Sequence, residues 1–184
     1  MALWFDERVN FEPLINFSNF GVFMETEMKI RGLMMDPVTN MPIVVLKDAK
    51  SGTVLPIWLG VYEANAIALE IEKVSTPRPM THDLIKNVLL GLEMNVQKVV
   101  VSELKEDTFY ALIWLENNGK TIAIDCRPSD ALAMALRMDC PIYVEEDVLK
   151  KSKISSTVGG KITQEDAQKW LENLNEDDLG RYKM

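Results

Sequence analysis

Two groups of three strand-length apolar segments constrain the fold of this chain more than any other feature. The first group covers residues 27–35, 42–47 and 53–59, and the second covers residues 96–104, 108–116 and 120–125. Short polar turns separate the segments, and Asn117-Asn118-Gly119 is typical of a tight β-hairpin. The sequence therefore predicts two sets of three consecutive strands.

Segments with helical periodicity follow each set of strands. Residues 61–74 and 81–93 predict two helices after the first set, and residues 129–138 predict a third after the second. A short strand at 141–144 and a helical turn at 145–149 complete the pattern. This order indicates an α+β fold with mixed or antiparallel sheets and about three packed helices, and it is not the pattern of a doubly wound parallel sheet.

The ends of the chain differ in composition from this central part. Residues 1–27 predict an N-terminal extension, and residues 28–150 form the predicted domain. Residues 151–162, which are rich in Lys, Ser and Gly, predict a flexible basic linker. Residues 163–184 predict a C-terminal helix and tail, in which Trp170, Leu171 and Leu174 form an apolar stripe.

The charge balance limits how this protein can meet a polyanion. The 184 residues carry a net charge of −8, and residues 28–150 hold 13 basic against 17 acidic side chains. A broad positive face of the kind common in nucleic-acid-binding proteins is therefore excluded, and a nucleic acid would need a local basic patch or a metal-filled carboxylate site. We expect a soluble, cytoplasmic protein, because no apolar run could span a membrane and no secretion signal opens the chain.

Two similar polar segments lie 49 residues apart when measured between their arginines. One is Arg78-Pro79-Met80-Thr81-His82-Asp83-Leu84 and the other is Arg127-Pro128-Ser129-Asp130-Ala131-Leu132. Each places a cation, a proline, a hydroxyl and a carboxylate at a predicted helix start, where the positive end of the helix dipole favours anions. We expect two strand–helix corners that build one composite polar site. Their recurrence suggests a loosely duplicated strand–helix unit, although the two halves share little sequence elsewhere.

With three further segments, these two motifs make the chain resemble the bifunctional nuclease family from about Met28 to Leu149. The further segments are Leu55-Pro56-Ile57-Trp58-Leu59-Gly60, Glu63-Ala64 and Phe109-Tyr110-Ala111. The resemblance implies a small domain that hydrolyses phosphodiester bonds in RNA and DNA. Carried over by motif, it implies site roles for Arg78, His82, Asp83, Arg127, Ser129 and Asp130.

The residue types suggest how such a site would work. Arg78 and Arg127 are candidate phosphate-binding residues, together with the hydroxyl groups of Thr81 and Ser129. His82, Asp83, Asp130 and Glu63 are candidate catalytic residues, since imidazole and carboxylate groups exchange protons. Asp125, Asp130 and Asp83 are candidate ligands of Mg²⁺ or Mn²⁺, because hard divalent ions favour oxygen ligands. The same carboxylates have an ordinary structural alternative as helix caps and ion-pair partners.

Several enzyme classes are excluded, and two other kinds of function stay open. The chain has no nucleotide-binding glycine loop, no nucleophile elbow and no HExxH motif, and His82 is its only histidine. The alternatives to a nuclease are a non-catalytic, oligomeric scaffold domain and a binder of small anions. We expect RNA and DNA as substrates, and a homo-oligomer, with a dimer favoured on symmetry grounds.

Overall fold

The computed structural model describes residues 24–36 and 39–158, and the side chains of that region as far as residue 152. It contains seven strands and four helices in an α+β arrangement, as the sequence predicts. In chain order they are β1 (Glu25–Met35), β2 (Pro42–Lys47), β3 (Val54–Trp58), α1 (Val61–Ile71), α2 (Thr81–Gly91), β4 (Asn95–Lys105), β5 (Thr108–Asn117), β6 (Lys120–Cys126), α3 (Pro128–Met138), β7 (Ile142–Glu145) and α4 (Glu146–Val158).

The seven strands form one sheet in the order β3-β2-β1-β7-β4-β5-β6. The first three strands are an antiparallel meander, and β4, β5 and β6 are a second one. The short strand β7 lies between them, antiparallel to β1 and parallel to β4. Four residues near the end of the domain therefore join the two meanders into a single sheet.

Two-residue turns set the register of the second meander. Asn118 and Gly119 both have positive φ, of 51° and 77°, and Asn117 pairs directly with Lys120. Positive φ at both central positions matches the right-handed twist of the flanking strands, which is why Asn-Gly is favoured there. The predicted hairpin is confirmed, and Glu106 and Asp107 form a similar turn between β4 and β5, with φ of 49° and 59°.

Helix α3 is the central helix of the domain. Eight of its residues are buried, and it contacts α1, α2, β4 and β5. Its apolar side chains pack on alternating residues of the strands, including Val99, Val101, Ala111 and Ile113. Burial of a side chain as large as Leu132 or Met134 stabilises the fold by about 2 kcal/mol. Because α3 is held on several sides, its N-terminus is a fixed point from which a site can be built.

Three sequence expectations about boundaries and corners differ from the structure. Strand β1 begins at Glu25, so the last residues of the predicted extension pair with β7. Helix α4 continues to Val158, so the linker prediction is wrong over residues 151–158. It continues because Val148, Leu149 and Ser152 are buried, which the Lys- and Ser-rich composition does not reveal. The rest of the predicted linker and the C-terminal helix lie outside the described residues.

The third difference concerns the Arg78 segment. It joins α1 to α2, so it is a helix–helix corner, whereas Arg127 stands between β6 and α3. The true counterpart of the β6–α3 corner is the β3–α1 corner at Gly60.

In the described part of the chain, no helix is long and apolar enough to cross a membrane.

Candidate active site

The candidate site is built on the corner between β6 and α3. Arg127 is the N-cap of α3, with extended backbone, and Pro128 follows as the first helical residue. Proline suits that position because its φ is already helical and the missing N–H has no helical partner. The Arg127 guanidinium binds Asp130 through two hydrogen bonds, from Nε to Oδ2 at 2.9 Å and from Nη2 to Oδ1 at 3.2 Å. This paired geometry fixes both side chains in one orientation.

Two other helix starts contribute side chains to the same cluster. His82, in the first turn of α2, places its Nε2 atom 3.1 Å from Oδ1 of Asp130. Glu63, in the first turn of α1, accepts a 2.7 Å hydrogen bond at Oε1 from Nη1 of Arg127. We call His82, Asp130, Arg127 and Glu63 the site cluster. It joins residues from three helices that are far apart in the sequence.

A second ion pair holds α2 against α3 and α1. Asp83 accepts a 2.7 Å hydrogen bond at Oδ1 from Nε of Arg137, and its Oδ2 atom accepts one from the backbone N–H of Met80 at 2.8 Å. The Arg137 side chain is 3% exposed and also donates to the carbonyl groups of Ala66 and Ala133. Arg137 therefore connects three helices, and it fixes the start of α2, which carries His82.

Both aspartates of the two polar segments have pKa values below their ordinary value of 3.8. For Asp83, the hydrogen bond from Arg137 is the main cause of the lowered pKa, followed by the bond from the Met80 backbone. For Asp130, burial opposes ionisation, but hydrogen bonds from Arg127 and His82 outweigh it and lower the pKa. Asp130 is therefore ionised at neutral pH. Because an ionised carboxylate only accepts hydrogen bonds, Nε2 of His82 carries the hydrogen and donates it.

The lowered pKa of Asp83 predicts an acid-sensitive contribution to stability. A group with a lower pKa in the folded state stabilises the fold above its unfolded pKa, and loses that effect as the pH falls through the folded value. We expect the melting-temperature difference between the wild type and Asp83→Asn to be constant from pH 7 to pH 5, and to shrink below the ordinary value of 3.8. Thermal melts from pH 7 to pH 2.5 measure it, and a difference independent of pH would contradict the ion pair.

Glu63 is positioned by the glycine that precedes α1. A side-chain Cβ at Gly60 would collide with the Glu63 carboxylate, which folds back over the helix start. Gly60 is the N-cap of α1, with φ of −71° and ψ of 157°, so its role is to leave space and not to adopt an unusual backbone conformation. The sequence Gly60-Val61-Tyr62-Glu63 therefore keeps one oxygen of Glu63 beside Gly60 and turns the other toward Arg127.

Two glycine substitutions should have opposite effects on stability. Gly60→Ala displaces the Glu63 carboxylate, which is the end of a flexible side chain, and puts a poor N-cap residue at the helix start, so we expect a cost of about 0.5–1 kcal/mol. Gly91→Ala meets no atom within 4 Å and lies in the last turn of α2, so we expect about 0.5–1 kcal/mol of stabilisation. Urea denaturation of both variants measures these changes, and a Gly60→Ala variant as stable as the wild type would contradict the predicted loss.

Two members of the site cluster, Glu63 and Arg127, line a cavity of about 680 Å³. Residues from both meanders line it, since Ile57 to Gly60 come from the end of β3 and the loop after it, and Asp107 to Phe109 come from the β4–β5 turn and the start of β5. The walls also include Glu63, Arg127, Pro128 and Ser129. Its remaining walls come from the β1–β2 region, at Asp36, Thr39 and Met41.

Five of the nine site residues predicted from the sequence take part in one of these two polar groups. Glu63, His82, Arg127 and Asp130 form the site cluster, and Asp83 binds Arg137. Ser129 is buried and lines the cavity. Thr81 is the first residue of α2, Met80 is the N-cap, and the Asp83 carboxylate accepts the hydrogen bond of the Met80 backbone N–H. Arg78 is exposed, and its side chain forms no ion pair with any residue that the structure describes.

The predicted metal ligands do not converge in the described structure. Within the described residues, 24–36 and 39–158, no three His, Cys, Asp or Glu side chains are placed to hold a metal ion. Asp125 is exposed on the edge strand β6, Asp83 is bound by Arg137, and Asp130 is bound by Arg127. Among the predicted site residues, Glu63 and Asp130 are the two carboxylates that bind the same guanidinium group, that of Arg127.

Sequence reasoning missed two residues, Arg137 and the cavity-lining residue Asp36. The signal for Arg137 was a single cation within the apolar helix Ala131 to Met138, where a buried arginine needs a carboxylate partner. Asp36 is 2% exposed and accepts hydrogen bonds from Thr39 Oγ1 at 2.7 Å and from Trp58 Nε1 at 3.1 Å. Its position in an Asp-Pro turn gave no sign of this role.

Comparison with known proteins identifies the family. The family model of the bifunctional nuclease domain matches residues 44–157, which is more than half of the chain and includes every member of the site cluster. The chain belongs to the bifunctional nuclease family. An uncharacterized protein of Mycobacterium tuberculosis is 38% identical over 157 residues, which cover 85% of this chain and 90% of that protein.

Plant members of the bifunctional nuclease family are more distant. Bifunctional nuclease 1 of Oryza sativa subsp. japonica is 25% identical over 118 residues, and the match covers 62% of this chain and 36% of the plant protein. Bifunctional nuclease 1 of Arabidopsis thaliana is 25% identical over 126 residues, with 66% of this chain and 39% of the plant protein covered. The resemblance suggested by the motifs is thus confirmed for the family.

Proposed function

We propose that this member of the bifunctional nuclease family is a nuclease that hydrolyses phosphodiester bonds in RNA and DNA at the site cluster. The observation that carries the proposal is the contact of His82 with Asp130, which brings the two separate polar segments together beside Arg127. The family match and the named plant relatives support the reaction class.

Arg127 is the residue suited to bind the phosphate. A guanidinium group has five N–H donors, and the hydrogen bonds to Asp130 and Glu63 use three of them. Its side chain is 65% exposed at the wall of the cavity, so the remaining donors can reach a phosphate oxygen. The hydrogen bonds that Arg127 donates to Asp130 and Glu63 raise its pKa further above the ordinary value, which keeps it cationic.

His82 is the residue suited to move a proton. Asp130 holds its Nε2–H group, so the other ring nitrogen is the acceptor in the neutral imidazole. A carboxylate that orients a histidine in this way fixes the tautomer and stabilises the cation formed when the ring takes a proton. In this role His82 accepts a proton from the attacking water, and Asp130 positions the ring.

The charge of the site cluster favours a cation during the reaction. Glu63 and Asp130 carry two negative charges against one positive charge on Arg127, so the cluster is anionic when His82 is neutral. Mg²⁺ is commonly bound by one or two carboxylates together with phosphate oxygens, and does not need a complete set of protein ligands. We propose Glu63 and Asp130 as the residues that would hold Mg²⁺ or Mn²⁺, which would offset the negative charge of the phosphate.

Cleavage assays with matched variants test the proposed function. Labelled single-stranded RNA and double-stranded DNA are incubated with purified protein in Mg²⁺, in Mn²⁺, and in excess chelator. We expect cleavage by the wild type and by Arg78→Ala, and loss of cleavage in Arg127→Ala. Arg78 is the control because it shares the Arg-Pro motif but lies outside the site cluster. Equal loss in both variants, or equal activity in both, would contradict the role of Arg127.

A scaffold role is the second candidate, because α2 exposes an apolar face. The helix has no buried side chain, and Leu84, Val88 and Leu92 are 58%, 50% and 62% exposed. Their four-residue spacing places them on one side of the helix. We propose that a second copy of the chain covers this face in a symmetric homodimer, since the three side chains carry no charge that would repel its own copy.

The mass of the protein in solution tests the dimer. We expect light scattering after gel filtration to give a dimer for the wild type and a monomer for Val88→Glu. Asn87→Glu adds the same charge at the neighbouring exposed residue and should remain dimeric. A monomeric wild type would remove this proposal, and a dimeric Val88→Glu would place the contact elsewhere.

A cytoplasmic location and solubility stay predictions from the sequence.

A further inference from the structure

The cavity beside Arg127 has walls of a kind that bind flat apolar groups. Trp58, Phe109, Met41 and Ile57 form its apolar part. Its volume of about 680 Å³ lies within the range of small-ligand sites and is ample for one nucleotide. The nuclease mechanism proposed above uses Arg127 and Glu63 on one wall and leaves the rest of this space without a role.

The Trp58 ring is held in place by its own polar contacts. Its Nε1 group donates to Oδ2 of Asp36, and the hydroxyl of Thr39 donates to the same carboxylate oxygen. Asp36 is 2% exposed, so water competes little for these bonds. An aromatic ring fixed in this way offers a preorganised face on which a base can stack, and every base has such a face.

The charges around the cavity separate the parts of a nucleotide. Asp36, Asp107 and Glu63 are all on the walls, so a phosphate group is disfavoured inside. Arg127 is the basic residue among the lining residues, and its side chain is 65% exposed. A nucleotide can satisfy this charge pattern by placing its neutral base among the acidic walls and its phosphate at Arg127.

We infer that this cavity is a base-binding subsite, which takes one unpaired base of a single-stranded nucleic acid next to the phosphate held by Arg127. A paired base stays stacked within its duplex and cannot enter a side pocket without leaving the stack. The subsite therefore selects single strands over duplexes. This inference rests on the proposed function for the position of the phosphate, and it adds the substrate class.

Binding measured without cleavage tests the subsite. Fluorescence anisotropy in excess chelator reports the affinity of a labelled single-stranded oligonucleotide, the same strand in a duplex, and the same strand with one abasic residue. We expect Phe109→Leu to weaken single-strand binding about tenfold. Tyr110→Leu is the matched control, because Tyr110 is the next residue on β5, is 40% exposed and does not line the cavity, and it should bind within twofold of the wild type.

A second variant blocks the cavity without removing a partly buried side chain. Thr108 is exposed and lines the cavity, so Thr108→Trp should fill it and weaken single-strand binding at least tenfold. Thr121→Trp is the control at an exposed residue of β6 that lies outside the cavity walls. Binding by Phe109→Leu and Thr108→Trp equal to the wild type, or equal affinity for duplex and single strand, would overturn the inference.

The same experiments separate failure of the subsite from failure of the proposed function. Cleavage that is lost in Arg127→Ala but unchanged in Phe109→Leu and Thr108→Trp supports the nuclease and overturns the subsite. Selective single-strand binding without any cleavage supports the subsite and overturns the nuclease. A wild type that neither binds nor cuts these oligonucleotides overturns both.

Discussion

Replacement of His82 by Gln should lower kcat/KM for nucleic-acid cleavage by about 10²–10⁴-fold. The size follows from the usual contribution of a positioned general acid or base. Gln can still donate a hydrogen bond to Asp130, but its amide does not exchange a proton near neutral pH. The loss should therefore come from the missing proton transfer, and not from a collapsed site.

Initial-rate kinetics and thermal melts of the same samples distinguish these causes. Asn87→Ala is a matched control on the exposed side of the same helix, and it should cut like the wild type. A His82→Gln variant that melts like the wild type and retains full activity would remove His82 from the mechanism. A variant with a much lower melting temperature would show instead that the His82–Asp130 contact is structural.

Replacement of Arg137 by Met should destabilise the domain by about 2–4 kcal/mol. Removing one partner from a buried ion pair typically costs about 3–5 kcal/mol, and the cost is lower here because Asp83 is 31% exposed and partly solvated. The carbonyl groups of Ala66 and Ala133 also lose a donor. For a chain of this size we expect the melting temperature to fall by roughly 4–16 °C.

Two further arginine variants serve as comparisons for the stability of Arg137→Met. Arg137→Lys keeps the charge but cannot bind Asp83 and two carbonyl groups in the same planar geometry, so an intermediate loss is expected. Arg78→Met changes an exposed arginine and should alter stability by less than about 0.5 kcal/mol. If Arg137→Met melts within 2 °C of the wild type, the connection between the three helices contributes little to stability.

Local sequence patterns were sufficient for most elements of this fold. The strands of each meander follow one another with short turns, so the Asn118-Gly119 hairpin could be predicted from the residues of the turn itself. The place of β7 could not be predicted in this way. It pairs with Glu25 to Met28 and with Val99 to Val101, and both contacts depend on segments distant in the sequence.

The site was predictable in its residue types but only partly in its geometry. Asp130 and Arg127 are three residues apart on one helix turn, so their contact follows from local spacing. The contact of His82 with Asp130 spans 48 residues, and the recurrence of the two polar segments suggested it without fixing it. Arg78 is near Asp83 in the sequence, but Arg137 is the arginine that binds this carboxylate, because α2 packs against α3.

A double-mutant comparison of His82→Gln and Asp130→Asn tests most directly whether the two polar segments form one catalytic unit. The kcat/KM for a single-stranded substrate is measured for the wild type, each single variant and the double variant. Residues that act as a unit show strongly non-additive losses. We predict that the double variant is within about threefold of the slower single variant. Losses that multiply, or a wild type no faster than the double variant, would contradict the account.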